Sequence, residues 1–181
     1  MLYKNFEIHG CAQILNGENG GVVIRRVPEN VYNALETDEA RRMCRISTGI
    51  EIRFAIESGD AVLKIKNLEG IGRFQVFRGS IQGAWFDSGY ITEEITEIKI
   101  KKSENTEILK RIANEFNQPF SPEVVRVIIH TREFEIFGID GDIRPPKTEE
   151  MPKRTLLAYG SSITHDLGGR SRTGLACTGR I

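Results

Sequence analysis

The segment Leu156-Leu157-Ala158-Tyr159-Gly160-Ser161-Ser162-Ile163-Thr164-His165 holds the residues best arranged for chemistry in this 181-residue chain. Its short apolar run reads as a buried strand, and the Gly-Ser-Ser turn after it puts a hydroxyl at the strand's carboxyl end. A serine there can attack an acyl carbonyl while its backbone N–H faces the oxyanion that forms. Ser162 is therefore the candidate nucleophile and a candidate oxyanion-hole donor. The G-x-S-x-G elbow of the α/β-hydrolases is not met, because Thr164 stands at its second glycine. A strand-to-helix turn capped by serine would use the same residues without any catalysis.

The other reactive side chains are dispersed. Cys11, Cys44 and Cys177 are odd in number and form no C-x-x-C pair, which argues against a disulfide framework and a cysteine zinc site. His9, His130 and His165 lie far apart with no H-x-x-x-H or H-x-H spacing, so no metal or other cofactor is expected. Asp140-Gly141-Asp142 fails the EF-hand order and reads as a turn. Glu93-Glu94 and Glu149-Glu150 read as solvated faces rather than catalytic pairs, since neighbouring side chains point apart. Trp85, beside Phe86 and near Tyr90, could stack on a sugar if exposed, although alternate residues of a strand face inward and the core can claim it.

Tyr159-Gly160-Ser161-Ser162-Ile163-Thr164-His165 resembles the first block of the GDSL or SGNH serine hydrolases, which reads G-D/S/N-S-I/L-T after a strand. Upstream, His9-Gly10, Arg26-Val27-Pro28-Glu29, Gly49-Ile50-Glu51-Ile52-Arg53-Phe54, Phe120-Ser121-Pro122-Glu123-Val124-Val125-Arg126 and Arg144-Pro145-Pro146 are similar to a jelly-roll β-domain. Such a domain precedes the catalytic domain in one subgroup, akin to the carbohydrate esterase family 2 layout. The resemblance spans about residues 5 to 165. It implies an acyl-ester or carbohydrate-ester hydrolase working through an acyl-enzyme at Ser162. The family also needs a Gly and an Asn to complete the oxyanion hole, and an Asp-x-x-His block for the base. None fits in the 19 residues after Ser162. Asp166 replaces the small residue expected after the histidine, and the rest of the tail has no helical period. The expectation is a truncated enzyme, with residues 166–181 out of frame or naturally shortened, the first account fitting the abrupt end of the match better.

The elements that must carry this block are mostly strands. Ile50, Ile52, Phe54 and Ile56 alternate with Glu51, Arg53 and Glu57, the period of a half-buried strand. Similar runs at 61–65, 73–77, 81–86 and 95–100 are separated by turn residues such as Ser58-Gly59-Asp60 and Arg78-Gly79-Ser80. Two further runs, 124–130 and 133–139, predict a hairpin through Thr131-Arg132. Over 105–116 the apolar residues Ile108, Leu109, Ile112, Ala113 and Phe116 take helical spacing, predicting one amphipathic helix lying on the sheet, and Pro28 opens a shorter helix over 29–35. This pattern predicts a mainly β chain, an antiparallel jelly-roll-like sandwich, succeeded by a linker and the first strand of an α/β hydrolase domain.

The expected organisation is a sandwich over residues 1–143, a Pro-rich linker over 144–154 lying extended on the surface, the start of a hydrolase domain over 155–165, and an atypical tail over 166–181. Lys plus Arg and Asp plus Glu are 25 each, so no excess of cations is present to neutralise phosphates and a nucleic-acid partner is not expected. No apolar run reaches the roughly 20 residues of a membrane span, and the N-terminus has no signal-peptide pattern, so the expected location is cytoplasmic. The unpaired strand over 156–159 suggests a possible homodimer. The competing function is a stand-alone carbohydrate-binding module; a sandwich that only packs on a catalytic domain is a third.

Overall fold

β-Branched and aromatic residues alternating with charges favour a pleated surface buried on one side, and strands dominate the chain accordingly. The computed structural model describes residues 1–82 and 87–154. In chain order the elements are β1 (Leu2–Tyr3), β2 (Phe6–His9), β3 (Gln13–Asn16), β4 (Val22–Arg25), α1 (Glu29–Asn33), α2 (Asp38–Cys44), β5 (Glu51–Asn67) and β6 (Gly72–Arg78). They continue with β7 (Ile81–Gln82), β8 (Ser88–Ile91), β9 (Thr96–Ile100), α3 (Thr106–Glu115), β10 (Val124–His130) and β11 (Phe134–Arg144). All pairings are antiparallel, in the order β3-β4-β11-β5-β10-β6-β7, with β2 and β9 also on β5 and β8 on β6. The fold is mainly β and sandwich-like.

β5 organises it. The expected turn at Ser58-Gly59-Asp60 does not end the strand, which runs 17 residues without a break. Its first half pairs with β2 on one edge and β10 on the other, its second half pairs with β9, and β11 runs along both halves, from Phe134 opposite Asn67 to Arg144 opposite Ala55. Residues 57–60 are exposed, Gly59 takes φ +64°, and the facing strand is irregular around Gly141 at φ +131°. The strand thus bends at its solvated middle, where glycines tolerate a backbone that other residues resist. Both halves then feed one core, in which Ile8, Ile52, Phe54, Leu63, Ile65, Val127, Ile129 and Ile136 are fully buried. Burying each such side chain contributes about 1.5–3 kcal/mol.

Four other expectations are corrected. β10 and β11 do not form a hairpin: β10 lies between β5 and β6, whereas β11 lies between β5 and β4. Thr131 and Arg132 lack the positive φ of a tight turn, and the Ser47 hydroxyl holds the chain there, bonded to the Ile129 and Thr131 carbonyls and to the Thr131 N–H. Asp140 and Asp142 are not a turn but part of β11, tied to Lys64 and Ser58. α3 forms where expected, but most of its apolar face is not covered by the described residues: Ala113 is buried, whereas Ile108, Ile112 and Phe116 are exposed. α2 has no counterpart among the expected helices, although Thr37 caps it by accepting from the Ala40 N–H and two acids open its first turn.

The face of β5 opposite the core is buried too, and it is charged. The Glu51 carboxylate accepts from Arg126 at 2.9 and 2.6 Å and from Arg53 Nε at 2.8 Å. Phe120 covers the group, its ring 4.1 Å from the Arg126 guanidinium and 5.2 Å from that of Arg53. Burial pushes the Glu51 carboxyl up, but the Arg126 hydrogen bond and both guanidinium charges outweigh it and hold the group below the ordinary 4.5. A lowered folded value makes this contribution complete above the ordinary range and progressively lost as pH falls through and below it. Glu51→Gln strands two buried cations and should cost about 3–5 kcal/mol at neutral pH. Denaturant melts should also show the variant losing less stability than the wild type between pH 6 and pH 3. Gly141→Ala would put a Cβ 2.7 Å from the Asp60 carbonyl at a positive φ. A loss of about 1–3 kcal/mol is expected in the same assay.

Candidate functional site

Ser162 and His165 lie outside the described residues, as do Trp85, Phe86 and Cys177. The remaining candidates are placed apart. His9 ends β2 opposite Glu51, its Nδ1 3.9 Å from Glu7 Oε1. Burial and the Arg53 charge hold its pKa below the ordinary 6.5. His130 ends β10 opposite Arg73. Burial raises the Cys11 thiol above its usual range, and its Sγ donates to the Gln13 carbonyl at 3.2 Å, so it behaves as a packed thiol rather than a nucleophile. Cys44 is a free thiol. Among the described residues, no group of three or more His, Cys, Asp and Glu is positioned to hold a metal ion.

One recess stands out, of about 220 Å³, at the end of the sandwich where the chain leaves it. Its floor is Ala55 and Ile56 of β5 with Val125 of β10. Its walls are Arg78 at the end of β6, Lys101, Lys102, Ser103 and Thr106 leading into α3, Pro122 and Glu123 ahead of β10, and Glu57 and Arg144. The walls come from five separate chain segments.

Charges in the recess are mostly committed to one another. Arg144 forms a two-pronged pair with Glu150 at 2.8 and 2.6 Å, and its Nε lies 3.1 Å from Glu57 Oε1. Burial pushes the Glu150 carboxyl up, yet the Arg144 hydrogen bond and the Lys147 N–H more than offset it and hold it low. Lys110 joins Glu107 and Glu123 at 3.1 and 3.0 Å. Lys102 Nζ donates to the Glu57 carbonyl at 2.5 Å. The Arg78 guanidinium donates from Nη2 to the Lys101 carbonyl at 2.8 Å while burial lowers its pKa. Arg78 and Lys101 have no carboxylate bonded to them among the described residues. The recess can therefore orient a small polar or anionic group through cations and hydroxyls. Among the described residues, no aromatic ring lines it.

The exit from the sandwich is held rather than loose. Its prolines predict an extended linker, but residues 148–150 form a turn of 3-10 helix and Glu150 is buried. Glu150 accepts from the Lys147 N–H at 2.7 Å, and its carbonyl accepts from the Ser121 N–H at 2.9 Å. Glu149-Glu150 is thus not a solvated pair: one member anchors the exit. Linear spacing could not reveal the recess, because its residues run from 55 to 144 and meet through strand pairing.

No family model matches the chain, and no curated protein matches it. Among solved structures, it is similar to the salicylyl-acyltransferase SsfX3 from a tetracycline biosynthetic pathway, with a TM-score of 0.55 at 10% identity. The match covers 80% of this chain and 40% of that one, so the chain accounts for well under half of its neighbour's length. At that identity the likeness concerns the fold alone, a sandwich-like β-domain that the neighbour carries within a longer protein.

Arg144→Ala would leave the Glu150 carboxylate buried without its cation, at a cost of about 1–3 kcal/mol. The loss should fall on the exit. Trypsin should cut after Lys147 and Lys153 at least tenfold faster in this variant, with β5 peptides still resistant; equal cleavage rates would mean the pair does not hold the exit.

Proposed function

We propose that the chain is the accessory β-sandwich of a GDSL/SGNH-type serine hydrolase, jelly-roll-like, with Ser162 as the nucleophile of the acyl-ester or carbohydrate-ester hydrolase it serves. The observation that carries this is the order of parts: a sandwich, an exit pinned by Arg144 and Glu150, and then an apolar run ending in Gly160-Ser161-Ser162. The fold likeness to an acyltransferase supports it further. Acyl transfer to an alcohol and to water can both run through an acyl-enzyme, so a likeness to an acyltransferase is consistent with ester chemistry here.

The chemistry asked of Ser162 is specific. Its hydroxyl must lose a proton to a base as it attacks the ester carbonyl, and oriented donors must hold the oxyanion until the alcohol leaves. The imidazoles of the 181 residues are His9, His130 and His165, and the first two sit on β2 and β10 within the sandwich. The later blocks of the family would supply the base, its aspartate and the remaining donors. The role of the described part is to hold and flank that unit.

A second reading, a stand-alone sugar-binding module, draws on Tyr90. It is 61% exposed on β8, with the Arg73 guanidinium 5.7 Å from its ring centre. Tyr90→Ala should leave binding to acetylated and plain polysaccharides unchanged; a loss of retention would favour this module instead.

The activity test compares the 181-residue chain with its Ser162→Ala variant on an activated acetyl ester. The two should hydrolyse it at equal rates. A chain carrying the later blocks should lose about a thousand- to a million-fold on the same change. A Ser162-dependent burst from the 181 residues would overturn the reliance on later blocks, and indifference to the change in the longer chain would overturn the nucleophile.

A further inference from the structure

The recess beside the exit carries more positive charge than its own ion pairs use. Its lining sets Arg78, Lys101, Lys102 and Arg144 against two carboxylates, Glu57 and Glu123, in a chain whose net charge is zero. Both carboxylates are committed, Glu57 to Arg144 and Glu123 to Lys110. Lys102 Nζ donates to a backbone carbonyl, that of Glu57. Asp87 acts on Arg78 only through its charge, and Asp60 takes the Lys102 backbone N–H at 3.2 Å, so neither closes an ion pair here. Arg78, Lys101 and Lys102 are thus left without an ion-pair partner among the described residues.

Arg78 is the part that surface charge alone does not explain. It ends β6, and its Nη2 donates to the Lys101 carbonyl at 2.8 Å, which fixes the guanidinium in the wall of the recess. Its Nη1 is sealed from water and bonded to no described residue. A guanidinium offers five donors, and a buried one left unpaired is costly until an acceptor arrives. An oxyanion brings acceptors in the spacing that the planar fork matches. A hydroxyl stands in the same lining: Ser103 Oγ accepts from the Asn105 N–H at 3.3 Å and donates to no described residue. α3 opens beside it at Thr106, behind an Asn105 whose side chain makes no cap bond, and the start of a helix favours negative charge. A volume of about 220 Å³ admits a phosphoryl group with a few carbon atoms and falls short of a site for a larger ligand. Three cations without carboxylate partners favour a doubly charged oxyanion over a carboxylate.

We propose that this recess is a binding site for a small phosphate monoester, its dianion held by Arg78 and Lys101 with the Ser103 hydroxyl donating from the α3 side. The inference goes beyond the hydrolase reading and stands whether or not Ser162 is a nucleophile, since its residues all precede the linker and its test reads binding and not turnover.

Titration of the 181-residue chain with phenyl phosphate at pH 8, where a phosphate monoester carries two charges, tests it by calorimetry and by amide chemical shifts at physiological salt. Saturation in the millimolar range or below is expected, with shifts centred on residues 55–57, 78 and 101–106. Benzoate, with the same ring and a single charge, should bind at least tenfold more weakly. Arg78→Gln should weaken phenyl phosphate binding about tenfold or more and Lys101→Gln about threefold. Lys66→Gln, at the other end of β5, should leave it unchanged. Lys101 is exposed, so its variant decides the matter if Arg78→Gln fails to fold. No saturation in the millimolar range, equal affinity for benzoate, or affinity indifferent to both recess variants would overturn the proposal. An equal loss in Lys66→Gln would reduce the binding to general attraction between charges and overturn it as well.

Discussion

The length of β5 is the constraint on which the other elements depend. Seventeen residues of extended strand would span roughly 55 Å, whereas a compact chain of 181 residues would be roughly 40 Å across. The strand must therefore bend, and it does so where Glu57, Ser58, Gly59 and Asp60 keep the backbone solvated. Bending lets one strand serve both layers. Its apolar residues before and after the bend enter the same core, and strands pair with it on both sides of the bend, β10 up to Ala55 and β9 from Ala61.

The second consequence is a charged layer on the far face. Glu51 and Arg53 alternate with core residues and fall on the side away from the core, where Arg126 of the neighbouring strand joins them. Because Phe120 and its loop exclude water there, the three charges must satisfy each other, and their geometry leaves little freedom to the residues above them. Ser121, next to Phe120, bonds to the Glu150 carbonyl, and Glu150 in turn clasps Arg144. A continuous set of contacts thus runs from the middle of β5 to the point where the chain leaves the sandwich. The charges in the exit recess tie the described end of the chain to the sandwich.

Part of this is readable in the sequence. The mainly β character, the strands at 50–56 and 124–130 and the helix over 105–116 come from local periodicity, because a period of two or 3.6 is set by residues close together in the chain. The Gly160-Ser161-Ser162-Ile163-Thr164 block is equally a local pattern, and it lies outside the described residues.

What the tertiary structure alone decided is the set of relations between distant segments. Ser58-Gly59-Asp60 carries turn residues in either case; whether they end a strand or bend it depends on β9 and β11 being positioned to pair on the far side. Thr131-Arg132 joins two strands that read as a hairpin, yet β5 competes for both and separates them. Glu51 and Glu150 look like surface acids until the arginines that neutralise them arrive, Arg126 from 75 residues away and Arg144 from across a turn. The exposed stripe on α3 is the converse case: its period announced a buried face, and only the placement of the helix left that face open. Local sequence sets which conformations a segment can take, and pairing energy between segments selects among them, so composition and period specify the elements while packing specifies their partners.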